Sequence, residues 1–169
     1  MSNRDLVKMA FYLALFALLD YIATTSGILQ MPNGGSIGIA TITLVVASYD
    51  LGFKKALLLT QLSIIIQTTL SGVPFFVSWL QFILDYVLAF GVYALAANVF
   101  TTKLKGFYMS WGLVIANILR FVFHVLSGIY FWEVPLIPSI IYNGPYMLAT
   151  LIITFIVVGL MLPRLHLQD

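Results

Sequence analysis

Cysteine is absent from the 169 residues, and charge is scarce, with charged side chains making up 8% of the chain. The first absence excludes disulfides, thiolate metal sites and cysteine nucleophiles. The second excludes an ordinary soluble domain. No other catalytic constellation takes the place of cysteine. The two histidines, His124 and His166, are far apart in sequence. The serines lack a nearby His/Asp pattern, no glycine-rich phosphate loop follows a strand, and no protease dyad is spaced for work inside a membrane. The sequence therefore predicts a chain that is not an enzyme, with no metal, no cofactor and no nucleic-acid partner.

What fills the chain is apolar. Hydrophobic residues make up 62% and the mean hydropathy is +1.05, the composition of an integral membrane protein whose first partner is the lipid bilayer. A spanning helix needs about 20 mostly apolar residues. Six segments approach this: 5–26, 37–53, 55–72, 78–100, 107–131 and 141–162. They predict an all-α, six-helix transmembrane domain over 1–169. Ser2, Asn3, Arg4 and Asp5 lead straight into the first segment with no small-residue cleavage site, so that segment reads as a retained span. Breaks fall at Pro32 with Gly34 and Gly35, at Asp50 to Gly52, at Ser71 to Pro74, at Lys103 to Gly106, and at Pro135 with Pro138.

Of the eight Lys and Arg residues, Arg4, Lys8, Lys54, Lys55, Lys103, Lys105 and Arg164 fall at one predicted end of the helices. The connections 27–36, 72–77 and 132–140 carry none. The positive-inside rule then places both termini in the cytoplasm. Asp50, beside Lys54 and Lys55, reads as a cap or an ion-pair partner, and Glu133 and Asp169 as surface groups. Trp79 and Trp111 read as interface anchors. Ala10, Ala14 and Ala17 make a small-residue face on the first helix, which serves either internal packing or the docking of a partner subunit.

The eighth basic residue, Arg120, lies inside the fifth segment. Asn117, Arg120 and His124 are spaced by three and four, which puts them on one helix face. A charge at the centre of a spanning helix costs about 2.5–3.5 kcal/mol on insertion scales, so something inside the protein must meet it. Asp20 and Asp85 are the candidates, and the predicted orientation brings all four ionisable groups to one depth in the outer half. Asn33, Trp79, Tyr86, Tyr130, Trp132, Tyr142 and Asn143 add a polar and aromatic mouth. Two carboxylates and one guanidinium, all ionised, leave one negative charge, which a cationic or protonatable ligand would balance. In one reading Arg120 pairs with Asp20 while Asp85 faces the ligand; in the other both aspartates share Arg120 in a structural network. His124 is a satisfied interior group or, with Trp132 eight residues on, a wall for a flat heterocycle.

Several blocks carry a resemblance. Met31–Ser36 (MPNGGS), Leu84–Tyr86 with Ala89 and Phe90, Arg120 with His124–Gly128, and Tyr142–Met147 (YNGPYM) occur in the order found in the thiamine-specific substrate-binding components of energy-coupling factor (ECF) transporters, which the chain resembles through nearly its whole length. The resemblance implies vitamin import. A substrate-binding component takes up its ligand outside, docks through a face such as Ala10/Ala14 on a transmembrane coupling subunit joined to two ATPases, and topples to release the ligand inside a bacterial cell. It also implies ligand contacts at Asp85, Tyr86, His124, Trp132 and Asn143. Two features depart from the pattern: Pro138 stands where the family has a tyrosine five residues before the asparagine, and the lid between Trp132 and Tyr142 is short. They admit a smaller ligand, so thiamine, a B6 vitamer such as pyridoxine, and the pyrimidine precursor of thiamine all stand. A stand-alone secondary transporter or receptor is the alternative in another class, although no internal repeat of the kind found in many such transporters is visible.

Overall fold

The structure, a computed structural model, describes residues 1–27, 30–31, 35–70 and 76–165. Pro32, Asn33, Gly34, the turn from Ser71 to Pro74, His166 and Asp169, all singled out above, lie outside the described residues.

Helix α1 (Asn3–Ser26) starts at a capping box. The Ser2 hydroxyl accepts from the Asp5 amide at 3.2 Å, and the Asp5 carboxylate accepts from the Ser2 amide at 3.0 Å, so two donors of the first turn satisfy each other's residues. The helix stops at Gly27, whose left-handed φ of 64° suits a residue without a Cβ. Helix α2 (Thr41–Leu51) has 11 residues and is separated from α3 (Phe53–Leu70) only by Gly52, at φ 76°. At 1.5 Å per residue α2 is roughly 16 Å long, about half a hydrocarbon core. The expected helix 37–53 is thus shortened. Its first residues lie as a strap along the last helix of the chain, where the Gly38 amide donates to Thr150 Oγ1 at 2.9 Å.

Helix α4 (Trp79–Asn98) is continuous but changes gauge, from α (Trp79–Phe82) to π (Ile83–Leu88), back to α (Ala89–Gly91), and then to 3-10 (Val92–Asn98). A two-stranded antiparallel hairpin comes next, β1 (Thr101–Leu104) with β2 (Phe107–Ser110). Its turn residues Lys105 and Gly106 both have positive φ, 48° and 85°, as a two-residue type I′ turn requires. The fifth helix therefore begins at Trp111, not at residue 107. Phe107–Ser110 are apolar enough for a helix but are claimed by the turn ahead of them. Helix α5 (Trp111–Phe131) is capped by Ser110, whose hydroxyl accepts from the Leu113 amide at 3.1 Å. Helix α6 (Leu136–Met161) runs into a 3-10 turn, Leu162–Arg164. It starts five residues before the expected 141, and Pro138 sits in its first turn, where a missing N–H costs nothing. Most of the expected lid between Trp132 and Tyr142 is thus helix, and the connection shrinks to 132–135.

Four helices, Asn3–Ser26, Trp79–Asn98, Trp111–Phe131 and Leu136–Arg164, are long and apolar enough to cross a membrane. Helix α3 interrupts its apolar run with Lys54, Lys55, Gln61 and Gln67. The exterior is oily: Phe11, Ile65, Ile118, Leu148, Ile152 and Leu160 are all exposed. Inside, small and hydroxylated residues let helices approach. A Cβ on Gly112 would stand 2.0 Å from the Ala96 carbonyl oxygen. Ser48, Thr60 and Ser63 satisfy their hydroxyls on the carbonyls three residues back, so burying them leaves no donor unpaired.

One end of the bundle gathers the basic residues. Lys8 pairs with Asp50 at 2.5 Å, Tyr12 donates to the same carboxylate at 3.1 Å, and Lys55 pairs with Asp5 at 2.8 Å. Asp50 is thus an ion-pair partner as its sequence context suggests, but of Lys8, not of its neighbours Lys54 and Lys55. The Tyr49 hydroxyl lies 3.2 Å from the Ala96 carbonyl and 2.8 Å from Ser110 Oγ, and Phe107 packs against Phe155 and Gly159. These contacts bring the start of α1, the α2–α3 turn, the hairpin and the end of α6 to the same end. Ala10 and Ala14 lie on the outward face of α1 and are exposed.

Candidate functional site

The other half of the bundle holds a chain of buried polar groups. Asp85 lies in the π segment of α4. A π turn inserts one extra residue into the helix, which resets the direction of the side chains after it and recurs at functional sites. Here the carboxylate reaches α5. Asp85 Oδ1 lies 3.0 Å from His124 Nδ1, while Oδ2 accepts from Ser127 Oγ at 2.6 Å and from Gln81 Nε2 at 2.7 Å. Gln81, four residues back on α4, is held in turn by the Val77 amide on its Oε1.

On the far side of the imidazole, Arg120 Nε donates to His124 Nε2 at 3.3 Å. A guanidinium has no acceptor, so Nε2 must carry the lone pair and Nδ1 the hydrogen. That tautomer donates to Asp85, and His124 is neutral in this arrangement. Arg120 Nη1 donates to the Tyr93 hydroxyl at 3.3 Å. The Tyr93 hydroxyl in turn donates to Asn117 Oδ1 at 3.1 Å, and Asn117 Nδ2 donates to the Met147 carbonyl at 3.1 Å. The guanidinium also lies over the rings of Phe90, at 5.0 Å, and Tyr93, at 5.7 Å, so aromatic faces supply part of its solvation. A single run of bonds thus links α4, α5 and α6. Gly38 presses on Arg120, and a Cβ there would come within 3.1 Å of Nη1.

Asp20 is buried and accepts from Gln67 Nε2 at 3.0 Å. Asp20, Gln67 and Arg120 face the same cavity of about 20 Å³, closed by Phe16, Thr41 and Phe90, room for roughly one water. The four ionisable groups expected at one depth are therefore neighbours.

Asp85 and His124 touch directly, with Tyr86 beside them on α4, its ring stacked on Phe82 at 5.0 Å. Trp132 stands just after the last turn of α5, half-exposed. Asn143 is buried and bonded within α6: its amide donates to the Ser139 carbonyl at 2.9 Å, and its oxygen accepts a short bond from the Tyr146 hydroxyl. Over Tyr142 and Tyr146 passes the strap. The Gly35 amide donates to Tyr142 Oη at 3.0 Å, and a Cβ on Gly35 would lie 2.9 Å from the Tyr146 ring. Only glycine passes so closely, which explains one glycine of the MPNGGS block. Sequence reasoning missed Gln81, Ser127, Tyr93 and Gln67. Gln81 and Ser127 carried a signal, being four residues before Asp85 and three after His124 on the same faces. Among the described residues no group of three or more His, Cys, Asp or Glu side chains could hold a metal.

A family model, described as "Thiamine transporter protein (Thia_YuaJ)", matches residues 6–167. The chain belongs to this family of thiamine transporter proteins. Family membership makes it a membrane transport component and not an enzyme. Among similar proteins, the thiamine transporter ThiT of Bacillus subtilis (strain 168) is 30% identical, with 97% of this chain and 94% of the relative covered. The solved structure of ThiT from Listeria monocytogenes superposes with a TM-score of 0.74 at 21% identity, covering 97% of this chain and 98% of that one, which shows a common fold.

Proposed function

We propose that this chain is the thiamine-binding subunit of an ECF-type vitamin importer, with Asp85 as the anchor for a positively charged ligand. The observation that carries the reading is the neutral imidazole between Asp85 and Arg120. With His124 uncharged and both carboxylates ionised, Asp20, Asp85 and Arg120 sum to one net negative charge. A permanent monocation restores neutrality, and thiamine, with its thiazolium, is one. Pyridoxine brings no such fixed charge, so among B6 vitamers and thiamine the bookkeeping favours thiamine. Membership of the thiamine transporter family and the likeness to ThiT of Bacillus subtilis support the same choice.

In this reading the ligand's donors reach Asp85 by replacing the Ser127 hydroxyl, which can turn to a carbonyl of its own helix. Tyr86 and Trp132 offer aromatic faces, His124 holds its tautomer through Arg120, and Asn143 reads a polar edge. Arg120 balances Asp20 across their shared cavity. The six helices lie in a bacterial plasma membrane as one domain, the short α2 reaching only part of the way across, with the basic end and both termini in the cytoplasm. The exposed Ala10/Ala14 face docks on a transmembrane coupling subunit that joins two ATPases.

Tryptophan fluorescence of the purified chain tests the ligand assignment. Thiamine should quench with saturation, pyridoxine should not compete at equal concentration, and the signal should vanish in Trp132→Phe. Saturable quenching by pyridoxine alone would overturn thiamine in favour of a B6 vitamer. Uptake into liposomes tests the coupling: transport by the chain without coupling subunits and ATP would sink the importer reading in favour of a stand-alone carrier.

A further inference from the structure

Gln81 lies in the first turn of α4 and is only 2% exposed. Its main-chain N–H donates to Ser78 Oγ at 3.1 Å, its Oε1 accepts from the Val77 amide at 3.3 Å, and its Nε2 donates to Asp85 Oδ2 at 2.7 Å. These bonds fix which way the side-chain amide faces. Turned over, it would set its oxygen against the carboxylate and its N–H groups against the Val77 N–H. Packing alone gives no reason for an amide here, because methionine has a similar shape and is cheaper to bury. What the amide adds is a neutral donor aimed at Asp85.

A carboxylate has about four lone-pair sites, and Asp85 fills three of them from His124, Ser127 and Gln81. Ser127 is the donor that gives way to a ligand, which leaves Gln81 as the remaining partner of Oδ2. Gln81 stands four residues back on the same helix as Asp85, so its hold does not depend on α5. Its burial keeps it off the ligand. Neutrality matters as much as reach, since a glutamate here would bring a second negative charge to hydrogen-bond distance of the first.

We propose, on the reading that Asp85 anchors the ligand, that Gln81 is a positioning residue of the vitamin site. It holds the Asp85 carboxylate turned toward α5 before the ligand arrives, so the ligand does not have to order it. Among the described residues, the other titratable or charged groups around Asp85 are His124 and Arg120 on α5, Tyr86 beside it on α4 and Tyr146 on α6. They are the same in every variant below, so a pH-dependent difference between variants belongs to position 81.

Thiamine titrations followed by tryptophan quenching test this in the purified full-length chain. Gln81→Met should keep a cooperative melt, since Val77 is exposed and its amide can turn to water. It should nevertheless bind thiamine about three- to tenfold more weakly, the usual cost of ordering a side chain on binding. Gln81→Glu keeps the acceptor for Val77. Two carboxylates this close share one proton, and the protonated glutamic acid can donate where Nε2 did. Its thiamine affinity should therefore rise as pH is lowered from about 8 to about 6, a gain absent from wild type and from Gln81→Met. A purely structural role would lower the melting temperature without producing that rescue. Wild-type affinity in Gln81→Met, or no gain in Gln81→Glu at lower pH, would overturn the positioning role while leaving thiamine binding by the wild type intact. If Gln81→Met folds poorly, the Gln81→Glu titration decides. Wild-type protein that takes no thiamine sinks the vitamin assignment and this role together.

Discussion

The two ends of the bundle use the same ingredients, carboxylates facing Lys or Arg, to opposite effect. At the basic end Lys8–Asp50 and Lys55–Asp5 meet with side chains 20–37% exposed, where water screens the pair and competes for both partners. At the polar end Arg120 and Asp20 are buried, Asp85 and His124 nearly so, and every bond from Gln81 to Met147 is made inside the protein. The lesson is that the first end is held together by packing and tolerates loss of an ion pair, while the second has no water to fall back on.

Four substitutions break or sharpen that contrast. Arg120→Leu removes the positive charge that Asp20 and Asp85 have in the buried cluster among the described residues, a change worth about 3–5 kcal/mol. We expect little monodisperse protein on size exclusion and a steep fall in melting temperature, and wild-type thermal stability in this variant would erase the distinction between the ends. Asp85→Asn keeps the shape but cancels the charge, and thiamine affinity should fall by about 2–5 kcal/mol, at least thirtyfold, in a protein that still folds. Normal titration by tryptophan quenching would remove Asp85 from the site. Gly112→Ala drives a methyl into the Ala96 carbonyl and should cost about 1–3 kcal/mol, read as a lowered midpoint in a thermal-shift assay. Lys8→Ala should cost only about 0.2–1 kcal/mol. A Lys8→Ala loss as large as that of Gly112→Ala would show that charge, not packing, holds the basic end.

Much of this was legible in the residues. Spacing alone puts Asn117, Arg120 and His124 on one face, and charge counting asks for Asp20 and Asp85 beside them; the helices bring all of them within reach of one another. The one-sided distribution of Lys and Arg likewise corresponds to one physical end. Other features left weaker traces. Lys105-Gly106 is a hairpin signal, but the apolar run Phe107–Ser110 fits a helix equally well until a partner strand is present. Asp50 has two lysines next to it in sequence, yet α2 points its side chain at Lys8 on α1. The strap 35–38 owes its path to Tyr142 and Thr150, more than a hundred residues away.

By itself the sequence determined that the chain lives in a membrane, which end is basic, that a buried charge on α5 needs partners, and which family it belongs to. The first three come from composition, from where the charges fall and from the 3.6-residue period, and the family from blocks such as MPNGGS and YNGPYM, all of which can be read along the chain. The tertiary structure decided the remainder: the π turn that aims Asp85 across to α5, the Ser127 and Gln81 donors that hold it, the tautomer of His124, and the conversion of an expected lid into the first turns of α6. Each of these depends on which side chain from another helix arrives within about 3 Å, the reach of a hydrogen bond, and no local pattern encodes that distance.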